Sequence, residues 1–513
     1  MANRNTLLGI DLGTSYSSAA YLDERGYARS IPNSDGEPAT PSVVYFSADG
    51  PIVGARAVKA YVRHPSRVVF HPKRVLGDKA TTWEFDDVEY TPVDISAIIL
   101  RKLLRDARKH VGHVNQAVMT VPVHFTSYQR QLTIEAADQA GVKVLEVLNE
   151  PVAAALCFIL GEEGTGFAAL AKEQRVLVYD LGGGTFDLSL VDYKADNIRV
   201  LAANGDLKLG GLDWNQRIVD VVVKQVLRKK QIDPRDPENR SMFAQLSMAV
   251  ESAKRKMSET TDSVPIAFRD QEFRFVARLS RREFERMTTD LLDRTRVLLE
   301  QIVKSAPRRI GAKGPGGWSD VDSMIIVGGA SRMPMVHKMM QQLVKGEKLI
   351  KPVDPEMSVS HGAALYAGLL SANRKAGTQA AADSRLTGME MQNVTGLSLG
   401  IIVVDDKGQR VVHPVIRRNS PLPAVAHVDV ATTRPSQRRV SLKITEVEGS
   451  GEIYRCVLDN LPRGLPAGSE IDVDLCYDES GVIHIVGRHR ASGQLASVSM
   501  ECSRGESTRG EGD

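Results

Sequence analysis

Two glycine-rich segments carry the residue types that could hold a phosphate chain. The first is Leu7-Leu-Gly-Ile-Asp-Leu-Gly-Thr-Ser15, and the second is Val176-Leu-Val-Tyr-Asp-Leu-Gly-Gly-Gly-Thr185-Phe-Asp187. In each, an apolar strand leads into Asp-Leu-Gly. Glycines allow a tight turn whose N–H groups face phosphate oxygens, Thr and Ser add hydroxyl donors, and aspartates can hold hydrated Mg2+. The phosphate chain of a nucleotide would lie between two such hairpins.

A single Asp-Leu-Gly turn could equally be an ordinary β-hairpin. Two copies, the second with three glycines and a flanking aspartate, favour nucleotide binding and imply a duplicated, two-lobed fold. The chain contains no GxxxxGK(S/T) motif, which argues against a P-loop enzyme.

A third segment, Met324-Ile-Ile-Val-Gly-Gly-Ala-Ser-Arg-Met-Pro334, predicts a strand, a diglycine turn and a helix that begins at proline. Gly328 and Gly329 leave room for a purine or ribose, and Arg332 could stack on the base. Alone, the segment could also be a plain strand-to-helix turn.

The elements that must position these segments follow a mixed α/β pattern up to about residue 370, where strand-length apolar runs alternate with helical periodicity. Examples are a strand over 117–121, a helix over 127–140 and a helix over 94–110. Residues 371–393 read as a linker. Short alternating strands with turns at 405–408 and 478–481 then predict a small all-β domain, and the polar residues 501–513 predict disorder.

The composition excludes several functional classes. Among 513 residues, Lys and Arg (66) nearly balance Asp and Glu (63), so nothing points to nucleic acid. Four cysteines without a CxxC pair indicate neither disulfides nor zinc, and fit a reducing compartment. The chain shows no signal peptide and no apolar run of about 18 residues, so we expect a cytoplasmic protein that does not contact membranes.

Six strings now make a family resemblance specific. In this order, GIDLGTS, VPVHFTSYQRQ (121–131), VLNEPVAAAL (147–156), VYDLGGGTFDLSLV, NGDLKLGGLDW (204–214) and IIVGGASRMPMV resemble the ATPase domain of DnaK-type chaperones, the seventy-kilodalton heat-shock family. Sugar kinases and actins share only the hairpins. The resemblance implies an actin-like two-lobed ATPase domain with duplicated ribonuclease H-like halves (1–372), a linker (373–393), a β-sandwich that binds polypeptide (394–500) and a disordered tail (501–513).

The resemblance also assigns roles to residues of the site. Catalysis would rest on Lys73, which positions the attacking water, together with Glu150, Asp180 and Thr185. Hydrated Mg2+ and K+ would be held by Asp11, Asp180 and Asp187. Contacts to ATP would come from Gly13, Thr14, Ser15, Gly182, Gly183, Gly184, Thr185, Gly210, Gly211, Glu251, Lys254, Arg255, Ser258, Gly328, Gly329, Ser331, Arg332 and Glu356.

Four of these residues, Glu251, Lys254, Arg255 and Ser258, fall at i, i+3, i+4 and i+7, so they share one helix face. That face could contact adenosine or be a solvated polar stripe. Val440 matches a position of the family's apolar peptide pocket, but it could equally be core.

The implied function is an ATP-hydrolysing, stress-response chaperone that binds and releases extended apolar segments of unfolded clients. The expected form is a monomer, assisted by a J-domain cochaperone and a nucleotide-exchange factor. Two alternatives remain. One is a nucleotide-gated regulatory or scaffolding protein with a dedicated partner, and the other is a small-molecule kinase, for which no sugar-binding signature is visible.

Several positions depart from the family pattern. The linker lacks the usual leucine run, the helical lid after the sandwich is missing, and peptide release should therefore be fast. Glu146 stands where the bacterial family has an Arg used by J-domains, Val152 replaces a Thr, and Glu356 replaces an Asp. We therefore expect non-standard J-domain pairing.

Overall fold

A computed structural model describes residues 6–161, 173–194, 197–269, 273–308, 316–344, 348–350, 356–374, 386, 388–404, 408–449 and 451–504. It divides into two compact units. The first comprises Met1–Val123, Leu132–Ile198 and Asn204–Glu390, and the second comprises His124–Gln131, Arg199–Ala203 and Met391–Asp513. Most of the predicted linker (373–393) lies outside the described residues.

The helices lie between residues 55 and 374. They are α1 (Ala55–Ala60), α2 (Pro92–Val111), α3 (Ser127–Ala140), α4 (Glu150–Leu160), α5 (Gly211–Lys230), α6 (Arg240–Glu259), α7 (Arg281–Met287), α8 (Thr289–Ser305), α9 (Pro334–Leu343) and α10 (Ser358–Arg374). The predicted helices over 127–140 and 94–110 coincide with α3 and lie within α2. Within the described residues, none of the helices combines the length and the apolar character needed to span a membrane.

The strands up to residue 350 are β1 (Leu7–Asp11), β2 (Tyr16–Leu22), β3 (Ala28–Ser30), β4 (Ala39–Pro41), β5 (Val43–Ser47), β6 (Gly50–Val53), β7 (Val68–Phe70), β8 (Trp83–Phe85), β9 (Val88–Tyr90), β10 (Gln116–Val121), β11 (Lys143–Asn149), β12 (Glu173–Leu181), β13 (Phe186–Lys194), β14 (Asn197–Asp206), β15 (Val264–Arg269), β16 (Arg274–Leu279), β17 (Ser323–Val327) and β18 (Leu349–Ile350). The predicted strand over 117–121 lies within β10.

Two sheets of the first unit repeat one topology. In the first, β1 forms a hairpin with β2 and pairs in parallel with β10, which pairs in parallel with β11. In the second, β12 forms a hairpin with β13 and pairs in parallel with β17, which pairs in parallel with β18. The predicted α/β class with duplicated halves is therefore confirmed, and each glycine-rich segment forms the turn of a matching hairpin.

Close backbone contacts fix the first sheet against two helices. A Cβ at Gly362 of α10 would lie 1.7 Å from the carbonyl oxygen of Ala153 in α4. A Cβ at Gly9 of β1 would lie 2.0 Å from the amide nitrogen of Ala364 in α10. Because a larger side chain would force these elements apart, the two glycines hold α10 against both β1 and α4, whose first residue is Glu150.

The remaining strands are β19 (Glu390–Gln392), β20 (Leu399–Val404), β21 (Arg410–Ile416), β22 (Ala424–Ala431), β23 (Val440–Glu446), β24 (Glu452–Asp459), β25 (Glu470–Tyr477), β26 (Ile483–His489) and β27 (Ser497–Arg504). Five of them form an antiparallel sheet in the order β21-β20-β23-β24-β27, and three form a second sheet in the order β22-β25-β26. Alternate side chains of both sheets fill one apolar core, the β-sandwich that the sequence predicts.

The end of the sandwich differs from the prediction. The sequence predicts a disordered tail over residues 501–513, but β27 pairs with β24 as far as the Glu452–Arg504 pair. Backbone hydrogen bonds to a neighbouring strand do not depend on apolar side chains, so the polar composition of residues 501–504 was misleading. Residues 505–513 lie outside the described residues.

Glu446 is a buried carboxylate in the second unit. It accepts hydrogen bonds from the Ser127 amide (2.9 Å to one oxygen, 3.1 Å to the other), from Tyr454 Oη (2.5 Å) and from Tyr477 Oη (2.8 Å). Burial raises the pKa of Glu446 to about 7, although these donors and nearby Arg130 act in the opposite direction. Glu446 therefore ties β23 to neighbouring segments of its unit and binds a proton near neutral pH.

We predict that Glu446→Gln flattens the pH dependence of the second unit's stability. The folded pKa of about 7 exceeds the ordinary value of 4.5. The wild-type contribution is therefore complete below pH 4.5 and decreases as pH rises to about 7, by on the order of 3 kcal/mol. Urea-dependent hydrogen exchange of β23 at pH 5 and pH 8, corrected for intrinsic amide rates, measures it. Glu448→Gln is the control, and an unchanged pH slope in Glu446→Gln would contradict the assignment.

Candidate functional site

The two glycine-rich turns lie against each other, so that a side chain at Gly183 or Gly184 would collide with the opposite turn. A Cβ at Gly183 would lie 2.2 Å from Ser15 Oγ, and a Cβ at Gly184 would lie 2.5 Å from Thr14 Oγ1. Neither position has space for a side chain. The turns after β1 and β12 therefore bring their N–H groups and hydroxyls together from opposite halves of the first unit, in the arrangement that the sequence predicts for a phosphate chain.

The start of α5 packs against the second glycine turn. The Gly211 amide donates to the Gly182 carbonyl oxygen (3.0 Å), and the Leu212 amide donates to the Gly183 carbonyl oxygen (2.9 Å). A Cβ at Gly210 would lie 2.6 Å from backbone atoms of Gly184. The first turn of α5 is thus held on the second glycine turn by backbone contacts alone.

A cluster of charged side chains lies beside the turns. Lys73 forms a buried ion pair with Glu150, next to the half-buried Asp11 and the buried carboxylates Asp180 and Asp187. Burial, and then the charge of Glu150, raise the pKa of Asp11 and of Asp187 to about 7 and that of Asp180 well above its ordinary value. Burial lowers the pKa of Lys73, but Glu150 and Asp11 outweigh it and raise the pKa above its ordinary value. One cation faces four carboxylates, so this cluster favours a further cation.

Mg2+ fits this cluster as a hydrated ion. Asp187 accepts the Val123 amide at Oδ1 (2.7 Å), while its Oδ2 is buried without a hydrogen-bond partner among the described residues. Across the same residues, no group of three or more His, Cys, Asp and Glu side chains is close enough to hold a metal directly. Since Mg2+ commonly keeps several waters and binds substrate phosphates, Asp11, Asp180 and Asp187 suit contacts through water.

One face of α6 forms the opposite wall. Glu251 accepts hydrogen bonds from Lys254 (2.8 Å), Asn215 (2.7 Å) and Arg255 (2.7 Å). Burial raises the pKa of Glu251, but these partners outweigh it and lower the pKa to about 2. Lys254 also donates to the Gly211 carbonyl oxygen (3.0 Å). Lys254 is buried, Glu251 and Ser258 are half-buried and Arg255 is exposed, so the face is packed on one side and open to solvent on the other.

The third segment forms the strand, turn and helix that the sequence predicts. Gly328 has φ 84°, and a Cβ there would lie 2.5 Å from Asp180 Oδ1. Ser331 Oγ donates to the Gly328 carbonyl oxygen (2.6 Å). Arg332 pairs with Glu356 (3.2 Å), and both side chains are about half exposed. The Arg332 guanidinium can therefore move onto a flat ligand at low cost.

These elements enclose a cavity of about 580 Å³ in the first unit. All the predicted site residues line it except Gly184, Asp187, Gly210 and Ser331, which lie directly behind its surface. The four excluded residues are buried and support the lining through the contacts described above. The cavity has the size of a small-molecule site, and its polar floor and walls are suited to a phosphorylated ligand.

Two residues escaped the sequence analysis. Tyr16 lies at the cavity mouth, where Arg255 donates to its hydroxyl (3.2 Å) and lies 5.7 Å from its ring centroid. His71, with φ 56°, brings Nδ1 to 3.1 Å from the Thr14 carbonyl oxygen. Adjacency to Thr14 and Ser15 could have singled out Tyr16. His71 carries no comparable signal, because its role depends on a contact 57 residues away.

Comparison with known proteins gives a consistent result. The family model for Hsp70 protein matches residues 7–88 and 81–511. The chaperone protein DnaK of Thermotoga neapolitana is 35% identical over 508 residues, covering 96% of this chain and 80% of the relative. DnaK of Thermosipho africanus is 35% identical over 514 residues, and DnaK of Thermosipho melanesiensis is 34% identical over 508 residues, each alignment covering 80% of the relative.

We predict that Gly210→Ala destabilises the first unit by about 1–3 kcal/mol, because the added methyl overlaps backbone atoms that cannot move aside. Gly182→Ala is the matched control, since a Cβ there would lie 3.5 Å from the nearest atom, the Thr185 carbonyl oxygen. Trp83, Trp214 and Trp318, the three tryptophans of the chain, all belong to the first unit. Urea unfolding followed by tryptophan fluorescence therefore measures this unit, and equal midpoints for the two variants would contradict the prediction.

Proposed function

The chain belongs to the Hsp70 family, and on that premise we propose that it is a chaperone that hydrolyses ATP in the cavity of the first unit and thereby controls polypeptide binding by the second. The observation that carries the proposal is the pair of opposed glycine turns beside Lys73, Glu150 and three aspartates, two of them buried. In such a site the glycine turns can bind a phosphate chain, and the charged side chains lie next to the bound phosphates.

The phosphates of the nucleotide would lie at the floor of the cavity, and the adenosine would lie nearer its mouth. The turns containing Thr14, Ser15 and Gly182–Thr185 would receive the phosphates through N–H and hydroxyl donors. Adenosine would lie between the α6 face and the Gly328–Arg332 segment. Bound Mg2+, held through water by the aspartates, would neutralise phosphate charge, and K+ is a candidate for a second cation.

Lys73 and Glu150 would orient the attacking water. Both side chains are buried and joined as an ion pair, so their positions are fixed before a ligand arrives. The raised pKa of Lys73 keeps its ammonium group charged at neutral pH. This supports a role in which Lys73 holds water and stabilises developing negative charge, without a covalent nucleophile.

Client binding would use exposed apolar surface of the sandwich. Val403 (40% exposed), Val404 (67%) and Val411 (39%) cluster where β20 pairs with β21, an edge strand of its sheet. An edge strand with exposed valines suits an extended apolar segment, which gains backbone hydrogen bonds and side-chain contacts. Val440, matched to a family pocket position, is only 7% exposed and belongs to the core cluster.

The partners follow from the same premise. We propose unfolded polypeptides as clients, with a non-standard J-domain cochaperone and a nucleotide-exchange factor, and the cytoplasm as the location. Among the described residues no cysteine forms a disulfide, which is consistent with a reducing compartment. Glu146, at the position where bacterial relatives carry Arg, accepts a hydrogen bond from Tyr366 Oη (2.6 Å), which supports an altered cochaperone surface.

We predict that Lys73→Ala lowers the ATP hydrolysis rate about a hundredfold or more, as expected when a preorganised cation is removed from a transition state. Steady-state phosphate release by the full-length chain measures it. Lys109→Ala, an exposed change on α2, is the control. If the wild-type chain hydrolyses ATP and Lys73→Ala hydrolyses it at the same rate, the catalytic role assigned to Lys73 is refuted.

We further predict that extended apolar peptides accelerate hydrolysis by the wild-type chain, because a ligand that binds one nucleotide state better must shift the cycle. The same assay with and without peptide tests this. If ATP is hydrolysed but peptides change nothing, the coupled chaperone is contradicted and the nucleotide-gated scaffolding alternative is supported.

A further inference from the structure

The loop between β22 and β23 forms one side of a basic groove in the second unit. The groove has a volume of about 700 Å³. It is lined by Arg434, Ser436, Gln437, Arg438, Arg439, Asp459, Asn460 and Ser497. Three guanidinium groups thus face one carboxylate, although the whole chain is nearly neutral, with a net charge of +3.

The single carboxylate is already engaged. Arg439 Nε lies 2.7 Å from Asp459 Oδ2, and the Asn460 amide donates to Asp459 Oδ1 (2.7 Å). Arg438 donates to Asn460 Oδ1 (3.2 Å), and its charge helps to lower the pKa of Asp459. Among the described residues, Arg438 forms no ion pair, and Arg434 has neither a hydrogen bond nor an ion pair. Two guanidinium groups of the groove are therefore available to an anionic partner.

The loop that presents these arginines is held in place. The Ser436 amide donates to the Leu465 carbonyl oxygen (2.7 Å), and the Leu461 amide donates to the Arg438 carbonyl oxygen (3.2 Å). Gln437 accepts the Thr433 amide (2.9 Å) and donates to the Arg439 carbonyl oxygen (2.6 Å). A fixed backbone lowers the entropy cost of binding at this surface.

The groove lies at the same end of its sheet as the exposed valines. β20 and β23 are antiparallel, with Leu399 opposite Glu446 and Ile401 opposite Ile444. Val404, at the end of β20, therefore lies at the same end of the sheet as Val440, where β23 begins. Arg439 directly precedes Val440 in the chain. An apolar strip and a cationic groove thus share one end of the sandwich.

We propose that this groove selects client polypeptides whose apolar segment is flanked by Asp or Glu residues. The inference deepens the proposed function and rests on it. Guanidinium groups bind carboxylates through paired hydrogen bonds, so acidic flanks complement Arg434 and Arg438 while the apolar segment lies on the valines. The lining contains no aromatic side chain on which a base could stack, which disfavours single-stranded nucleic acid as the occupant.

The test uses three fluorescent peptides with one Leu/Val-rich core and flanking residues that are all Glu, all Ser or all Lys. Fluorescence anisotropy with the full-length chain measures the dissociation constants. We expect the Glu-flanked peptide to bind about fivefold more tightly than the Ser-flanked one, given two exposed charge pairs, and the Lys-flanked peptide to bind most weakly. Raising the salt concentration should remove this difference.

Arg434→Glu combined with Arg438→Glu should reverse the order of the Glu- and Lys-flanked peptides. Arg278→Glu with Arg282→Glu, two exposed residues of the first unit, gives the same change in net charge and should keep the wild-type order. Circular dichroism checks that the variants fold, and the salt titration of wild type decides the question if they do not.

Three outcomes would overturn the inference. Equal, salt-insensitive binding of all three peptides would refute charge selection while leaving the proposed peptide binding intact. Failure of every peptide to bind would refute the proposed peptide binding and the inference with it. Tight binding of a single-stranded oligonucleotide that the Arg434 and Arg438 changes abolish, without any change in peptide preference, would assign the groove to nucleic acid.

Discussion

The contact between the two glycine turns is the constraint on which the first unit depends. Gly183 and Gly184 lie so close to Ser15 and Thr14 that no side chain fits between them. Each turn is the loop of a hairpin in a different sheet, so this contact joins the two halves at the floor of the cavity. The start of α5 then packs on the same turn. The floor of the cavity forms because the glycine backbone packs directly against the Ser15 and Thr14 side chains.

The second determinant is uncompensated charge. Asp180 and Asp187 are buried and Asp11 is half-buried beside the ammonium group of Lys73, which costs free energy unless protons or cations bind. Glu446 in the second unit is also buried, yet three donor groups satisfy its oxygens. Carboxylates with low solvent exposure thus have two different roles in this protein. Glu446 connects strands, whereas the aspartates of the cavity are arranged for a ligand that brings positive charge.

Local sequence predicted most of the site, because its chemistry resides in short strings. The turns at 12–15 and 182–185 and the turn before α9 are continuous in the chain, and the α6 face follows from helical spacing. Family resemblance was needed for Lys73 and Glu150, whose pairing spans 77 residues. His71 was not predicted because its contact with Thr14 arises only on folding. Residues 501–504 were misassigned because strand pairing outweighed polar composition.

The distribution of charge on the folded chain is a second feature that sequence analysis did not predict. The nearly neutral composition of the chain gives no indication of nucleic-acid binding. Binding, however, depends on charge within a Debye length of about 8–10 Å, not on the total. Folding places Arg434, Arg438 and Arg439 around one carboxylate and joins them to the apolar end of a sheet. The proposed client preference therefore depends on the placement of a few arginines, a local feature that the overall composition of the chain does not reveal.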